Sequence, residues 1–198
     1  MKKVILLGDS IRMGYDDYVK ELLEGKCEVV YDAEDNGRYT AYTLWQLNQL
    51  LRKHPDACLV HWNNGYWDMH VEPPMTEELC PVPDYQHLLR RIIKLCRSCG
   101  CKVIFATTTP VGEEGIAEDV TGTGAHIAYD NNSVLRYNKA ALEVMADEGV
   151  MVNDLYALCA KDENLYKCED HLHLTEEGYR ACAKQAADMI LEVLKTIK

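Results

Sequence analysis

Apolar and polar positions alternate along the chain in two rhythms. Short runs rich in apolar residues occupy positions 4–7, 27–31, 57–62, 102–106 and 150–153. Runs of this length, bounded by Gly, Asp and Asn, read as buried strands. Between them the apolar residues recur at i, i+3 and i+4, the spacing of amphipathic helices, over residues 15–23, 40–51, 85–96, 133–148 and 176–196. The first of these places Tyr15, Tyr18, Val19, Leu22 and Leu23 on one face and has Gly25 past its end. The second does the same with Leu44, Leu47, Leu50 and Leu51.

Strands that alternate with helices in this way predict a parallel sheet with helices on both faces. Right-handed crossovers make the economical answer a three-layer α/β/α fold of five strands, with residues 1–198 forming one domain. In such sheets the ligand site lies beyond the carboxyl ends of the strands. That rule gathers the loops at residues 8–10, 36–38, 63–68, 107–110 and 170–173. The longest irregular stretch, residues 111–126, holds four glycines and reads as a lid or binding loop.

Composition narrows the function. Of 198 residues, 47% are hydrophobic and 27% charged, enough for a substantial core. The net charge of −11 argues against nucleic acid and against an anionic membrane surface, since both demand clustered Lys and Arg. The apolar run at residues 4–7 is too short to span a bilayer or serve as a signal sequence, so the chain reads as cytoplasmic. Nine cysteines, an odd number, favour reduced thiols over a disulfide framework. Cys96-Arg97-Ser98-Cys99 has no partner pair for a structural zinc. The expectation is therefore no metal, with Cys96 packed on a helix and Cys99 and Cys101 flanking a turn at Gly100.

The candidate chemistry sits at two distant points. Ser10 follows the first strand directly, in Gly8-Asp9-Ser10. A serine nucleophile needs a histidine within hydrogen-bond reach. Asp170-His171-Leu172-His173 supplies one, because a single turn lets Asp170 hold one imidazole nitrogen of His173 while the other faces the serine. His171 is the competing base. A nucleotide-binding loop is a poorer reading, since residues 8–14 lack the Gly-x-Gly-x-x-Gly spacing and place an acid where phosphate would bind. Asp9 reads as support for its loop. Arg12 and Arg38 are either solvated or in contact with a polar or anionic substrate.

Four blocks together resemble the SGNH/GDSL hydrolase family of esterases and lipases. They are Leu7-Gly8-Asp9-Ser10-Ile11, Asn36-Gly37-Arg38, Trp62-Asn63-Asn64-Gly65-Tyr66-Trp67-Asp68, and Asp170-His171-Leu172-His173 with the following Leu174-Thr175-Glu176-Glu177-Gly178-Tyr179. Thr107-Thr108-Thr109-Pro110 also resembles the family. The resemblance implies a flavodoxin-like fold and a serine esterase that works through an acyl-enzyme, with Ser10, His173 and Asp170 as its triad and no cofactor. It also implies an oxyanion hole built from the N–H groups of Ser10 and Gly37 and an asparagine amide. The third block lacks the family's Gly-x-Asn-Asp, so that amide is Asn63 or Asn64, and the strand-end position of Asn63 favours it. The implied substrate is a carboxylic ester, acetyl esters included, of a small molecule or carbohydrate, with Tyr66, Trp67 and Arg38 as substrate contacts. A short-chain lysophospholipase or thioesterase, or a catalytically silent binding domain of the same fold, are the alternatives.

Overall fold

A computed structural model describes residues 1–113, 117–118 and 127–197, with backbone alone at 117–118. Each apolar run forms a strand: β1 (Lys3–Leu7), β2 (Glu28–Val30), β3 (Ala57–Asn63), β4 (Lys102–Ala106) and, after two short strands that pair antiparallel with each other, β5 (Ala117–Glu118) and β6 (Ile127–Ala128), β7 (Met151–Asn153). The main sheet is wholly parallel, in the order β2-β1-β3-β4-β7. Helices α1 (Ser10–Leu22), α2 (Thr40–Lys53), α4 (Val82–Ser98), α5 (Asn131–Glu148) and α7 (Glu176–Lys195) join and cover the strands. Two short ones, α3 (Tyr66–Met69) and α6 (Leu155–Cys159), follow β3 and β7. Helices α1 and α7 pack on each other, while α2, α4 and α5 form a row.

The fold follows from burial. Val4, Ile5, Leu6 and Leu7 are all buried, as are Leu59, Val60, Ile104 and Phe105, so both faces of the central strands are covered and alternation disappears. Trp62 meets Phe105 edge to face, with ring centroids 5.1 Å apart. His61 is a buried polar residue within β3. Its Nε2 accepts from Asn153 Nδ2 at 3.0 Å, and burial pushes its pKa down to about 4, so the ring is neutral at pH 7.

The pairing of Leu7 with Trp62, Asn63 with Ala106 and Ala106 with Asn153 brings the carboxyl ends of four strands to one edge. From β1 the chain goes first to β2 on one side and then to β3 on the other. The crevice of such a sheet opens where the winding reverses, between β1 and β3.

The structure departs from the sequence pattern mainly at helix starts. Helix α1 begins at Ser10, five residues before the apolar periodicity does, because Asp9 caps it by accepting from Ile11 N at 3.0 Å. Gly14 lies inside that helix, where a side chain would overlap the ring of Tyr179 on α7. Helix α5 likewise starts early, capped by Asp130, which accepts from Ser133 N at 2.9 Å. The helices α3 and α6 are too short to show a period. Most of the expected lid at residues 111–126 lies outside the described residues. Cys96 is buried on α4, Cys99 is exposed at its end, and the Cys101 thiol donates to the Ala57 carbonyl at 3.1 Å. Among the described residues no helix is long and apolar enough to cross a membrane.

Candidate active site

At the end of β1 the chain turns through Gly8, whose φ of +145° belongs to glycine. A Cβ there would overlap Asn63 Oδ1, so only glycine lets the ends of β1 and β3 approach this closely. Ser10 follows as the first residue of α1. Its Oγ donates to His173 Nε2 at 2.7 Å, and His173 Nδ1 donates to Asp170 Oδ2 at 2.6 Å. This assignment of protons takes the neutral imidazole, the tautomer in which both contacts are satisfied. The other oxygen of Asp170 accepts from Leu172 N at 2.9 Å and His173 N at 2.8 Å, which folds the loop back on its own carboxylate. His171 takes the left-handed conformation within that turn, with φ 60°. Partial burial works to raise the pKa of Asp170. Hydrogen bonds from the Cys168 thiol, the two backbone N–H groups and the His173 ring outweigh it and hold the carboxyl well below its ordinary range. The ring of His171 turns to Glu113, with 3.9 Å between Nδ1 and Oε2, and its carbonyl accepts from Gly112 N at 2.6 Å.

The three expected oxyanion donors also meet at the β1–β3 crevice, but they differ in what they already hold. Ser10 N–H is among the groups that a helix start leaves without an intrahelical acceptor. Gly37 N–H donates to the Gly8 carbonyl at 2.8 Å, and a Cβ on Gly37 would lie 2.5 Å from that oxygen. Asn63 Nδ2 donates to Asp9 Oδ1 at 2.8 Å. Asn64 Nδ2 donates twice, to the Arg38 carbonyl at 2.9 Å and to Thr43 Oγ1 at 2.8 Å. An amide carries two protons. Asn63 therefore keeps one to give, and Asn64 has none left.

Buried charged residues fix these loops. Arg12 is 1% exposed and donates to Asp16 Oδ2 at 2.5 Å and to the carbonyls of Asp32 (2.9 Å), Asp35 (3.0 Å) and Gly8 (3.3 Å). It is a clamp between β1, α1 and the loop before α2, not a solvated or substrate-contacting side chain. Burial pushes its partner Asp16 up to about 7 against the pull of the guanidinium. Asp68, fully buried on α3, accepts from the backbone N of Thr40 at 2.9 Å and from the Thr40 hydroxyl. Burial pushes it up to about 7 as well. Asp9 is also buried and raised, although Asn63 and Ile11 N donate to it. Spacing alone could not reveal these contacts, since each joins distant segments.

The expected substrate contacts separate. Tyr66 is buried, its hydroxyl donating to the Thr109 carbonyl at 2.6 Å and its ring standing edge-on to Tyr129 at 5.5 Å. That hydroxyl is occupied with holding the loop after β4. Trp67 is half-buried beside His70, with ring centroids 5.4 Å apart. Arg38 is exposed in the left-handed conformation (φ 51°), its guanidinium 5.0 Å over the Tyr42 ring.

A model of the GDSL-like lipase/acylhydrolase family matches residues 6–181. The isoamyl acetate-hydrolyzing esterase 1 homolog of Mus musculus is 28% identical over 194 residues, covering 89% of this chain and 76% of that protein. Among solved structures, an acetyl xylan esterase, AlAXEase, superimposes with a TM-score of 0.74 at 18% identity, covering 95% of this chain and 99% of the other. The psychrotrophic esterase EstA of Pseudoalteromonas sp., in a form inhibited by monoethylphosphonate, gives 0.71 at 14% identity, over 98% of this chain and all (100%) of the other. At these identities the two structures speak for the fold.

Proposed function

The chain belongs to the GDSL-like lipase/acylhydrolase family, whose members are carboxylic ester hydrolases, and from that premise we propose that it cleaves short acyl esters, acetyl esters first, through an acyl-enzyme on Ser10. One observation carries this reading: the unbroken hydrogen-bond chain from Ser10 Oγ through both nitrogens of His173 to Asp170, at 2.7 and 2.6 Å. His173 takes the Ser10 proton at Nε2 as Oγ attacks the acyl carbon, then returns it to the leaving alcohol. Asp170 keeps Nδ1 protonated and stabilises the imidazolium. A water molecule, activated by the same nitrogen, releases the acid and restores Ser10. Apart from that water, the scheme uses protein groups alone.

The oxyanion of the tetrahedral intermediate is received by Ser10 N–H and the uncommitted amide proton of Asn63. The Gly37 N–H joins them only when its loop leaves the Gly8 carbonyl. The acetyl preference draws on the esters named for the mouse relative and for the acetyl xylan esterase, both of them acetates. The alcohol is that of a small molecule or carbohydrate, with the half-buried Trp67 and the exposed Arg38 the groups on hand to meet it. Nine free cysteines fit a reducing compartment, and we place the protein in the cytoplasm.

The test is a panel of p-nitrophenyl esters of increasing acyl length and of acetylated sugars, run beside a fluorophosphonate probe. Acetate esters should turn over fastest, and the probe should label the peptide that contains Ser10. Undiminished labelling of Ser10→Ala would overturn the assignment of the nucleophile. Faster hydrolysis of long-chain esters would overturn the acetyl preference.

A further inference from the structure

Four donors converge on the Asp170 carboxylate, and one is a thiol. Oδ2 takes the His173 ring, whereas Oδ1 takes the backbone N–H of Leu172, that of His173 and, at 3.0 Å, the Sγ of Cys168. The same sulfur lies 2.9 Å from the His173 carbonyl. One side chain thus touches both ends of the Asp170-x-x-His173 turn.

We propose that Cys168 is a positioning residue for hydrolysis, its thiol fixing the rotation of the Asp170 carboxylate and moderating the charge that Asp170 presents to His173. The proposal rests on the triad reading given above. A carboxylate is free to turn about its Cβ–Cγ bond, and each donor on Oδ1 opposes that turn and keeps Oδ2 aimed at the imidazole. Two of the three donors on Oδ1 are backbone groups, which move with the loop itself. Cys168 is the side chain that ties the oxygen from outside the turn. A thiol has one proton, and the ionised carboxylate is a stronger acceptor than the His173 carbonyl, so the proton goes to Asp170. The sulfur is half-buried, and burial, with the neighbouring carboxylate, raises its pKa, which keeps it protonated as a donor at neutral pH.

Other ionisable groups surround the cluster without joining it. Asp9 and, behind it, Arg12 lie on the Ser10 side, Tyr179 approaches from α7, and the His171–Glu113 pair lies where the loop after β4 meets the Asp170 turn. None of them is hydrogen-bonded to Asp170 among the described residues.

The experiment compares wild type, Cys168→Ala and Cys168→Ser with p-nitrophenyl acetate across pH, with circular dichroism to show that each is folded. Removing one charge-assisted hydrogen bond should lower kcat of Cys168→Ala about tenfold, with KM unchanged. The acidic limb of kcat/KM should move to higher pH, because a carboxylate relieved of one donor holds the imidazolium more firmly. Cys168→Ser, which returns a donor to the same oxygen, should recover kcat to within about twofold and restore the limb. If Cys168→Ala does not fold, Cys168→Val, close in size but without a donor, takes its place. A donorless variant with wild-type kcat and limb overturns the proposal, as does Cys168→Ser matching the donorless variant. Fluorophosphonate labelling separates the two levels. Wild type unlabelled at Ser10 removes the triad reading and this proposal with it, whereas normal labelling of wild type and of the donorless variant at equal rates removes the role of Cys168 alone.

Discussion

Asn63 and Asn64 are adjacent amides at the end of one strand, yet they should fail in opposite ways. Asn63→Ala removes the amide whose second proton is uncommitted, and loss of one oxyanion donor costs a hundredfold or more in kcat, about 3 kcal/mol of transition-state stabilisation. KM should hardly change, because that contact forms only as charge develops on the oxygen. The same substitution strips one donor from the buried Asp9 carboxylate, so some loss of stability, about 1–3 kcal/mol, accompanies it. Asn64→Ala deletes two hydrogen bonds, to the Arg38 carbonyl and Thr43 Oγ1, each with a net value of about 1 kcal/mol. It should therefore lower the melting temperature and loosen the loop at residues 36–38 while keeping kcat within several-fold of wild type. Steady-state kinetics and chemical denaturation on the same preparations separate the two. If Asn64→Ala loses the hundredfold and Asn63→Ala keeps its turnover, then counting committed amide protons does not identify the oxyanion donor, and the reasoning fails.

Three further outcomes are expected. His173→Ala should abolish turnover of p-nitrophenyl acetate with the fold intact, while His171→Ala, whose ring faces Glu113, should keep most of it; the reverse ranking would reassign the base. Arg12→Met leaves Asp16 buried without its cation and takes one donor from each of three carbonyls, which should cost about 3–5 kcal/mol in urea denaturation. Arg12→Met with Asp16→Leu should regain part of that loss, and a double variant no more stable than the single would show that the two do not act as a pair. Asp68, raised by burial from 3.8 to about 7, binds a proton in the folded chain that the unfolded chain has released between those values. Its contribution to stability is complete below about pH 4 and fades as pH rises to about 7, by roughly 4 kcal/mol at most. Asp68→Asn should flatten the fall in melting temperature between pH 5 and 8, and an unchanged slope would place the titration elsewhere.

The strands were legible because burial on both faces turns each into an unbroken apolar run, and residues 102–106 were read to their ends. The start of α1 was hidden for the opposite reason. Its first two turns bury Arg12 and Asp16 alongside Ile11 and Tyr15, so charged residues interrupt the apolar stripe, and the start is set by the Asp9 cap and not by periodicity. At the site, spacing and family resemblance together pointed to Ser10, Asp170 and His173, and the structure brings these three into hydrogen-bond contact. The state of the other groups was not legible. Whether an N–H is free depends on an acceptor far away in sequence: Gly8 for Gly37, Asp9 for Asn63, and Arg38 with Thr43 for Asn64. Sequence names the donors but not their commitments. Tyr66 shows the same limit, since an aromatic beside the site reads as a substrate contact until its hydroxyl is seen on the Thr109 carbonyl.

Those commitments centre on three carboxylates buried beneath the carboxyl edge of the sheet. Asp9 caps the helix that starts at Ser10 and holds Asn63; Asp16 anchors Arg12, which holds the loop at residues 32–35 and the Gly8 carbonyl; Asp68 fixes the start of α2. Burial raises the pKa of all three, so each is a local cost that its hydrogen bonds only partly offset. A fold selected for stability alone would do better with apolar residues at such positions. Their placement makes sense if rigidity at the edge is worth that cost, because a preorganised donor stabilises developing charge without reorganising at the moment of reaction. Each carboxylate governs a different part of the site: Asp9 the nucleophile and one amide, Asp16 the loop that carries Gly37, and Asp68 the helix behind that loop. Neutral substitutions at the three should then damage turnover in distinguishable ways even where their effects on stability are alike.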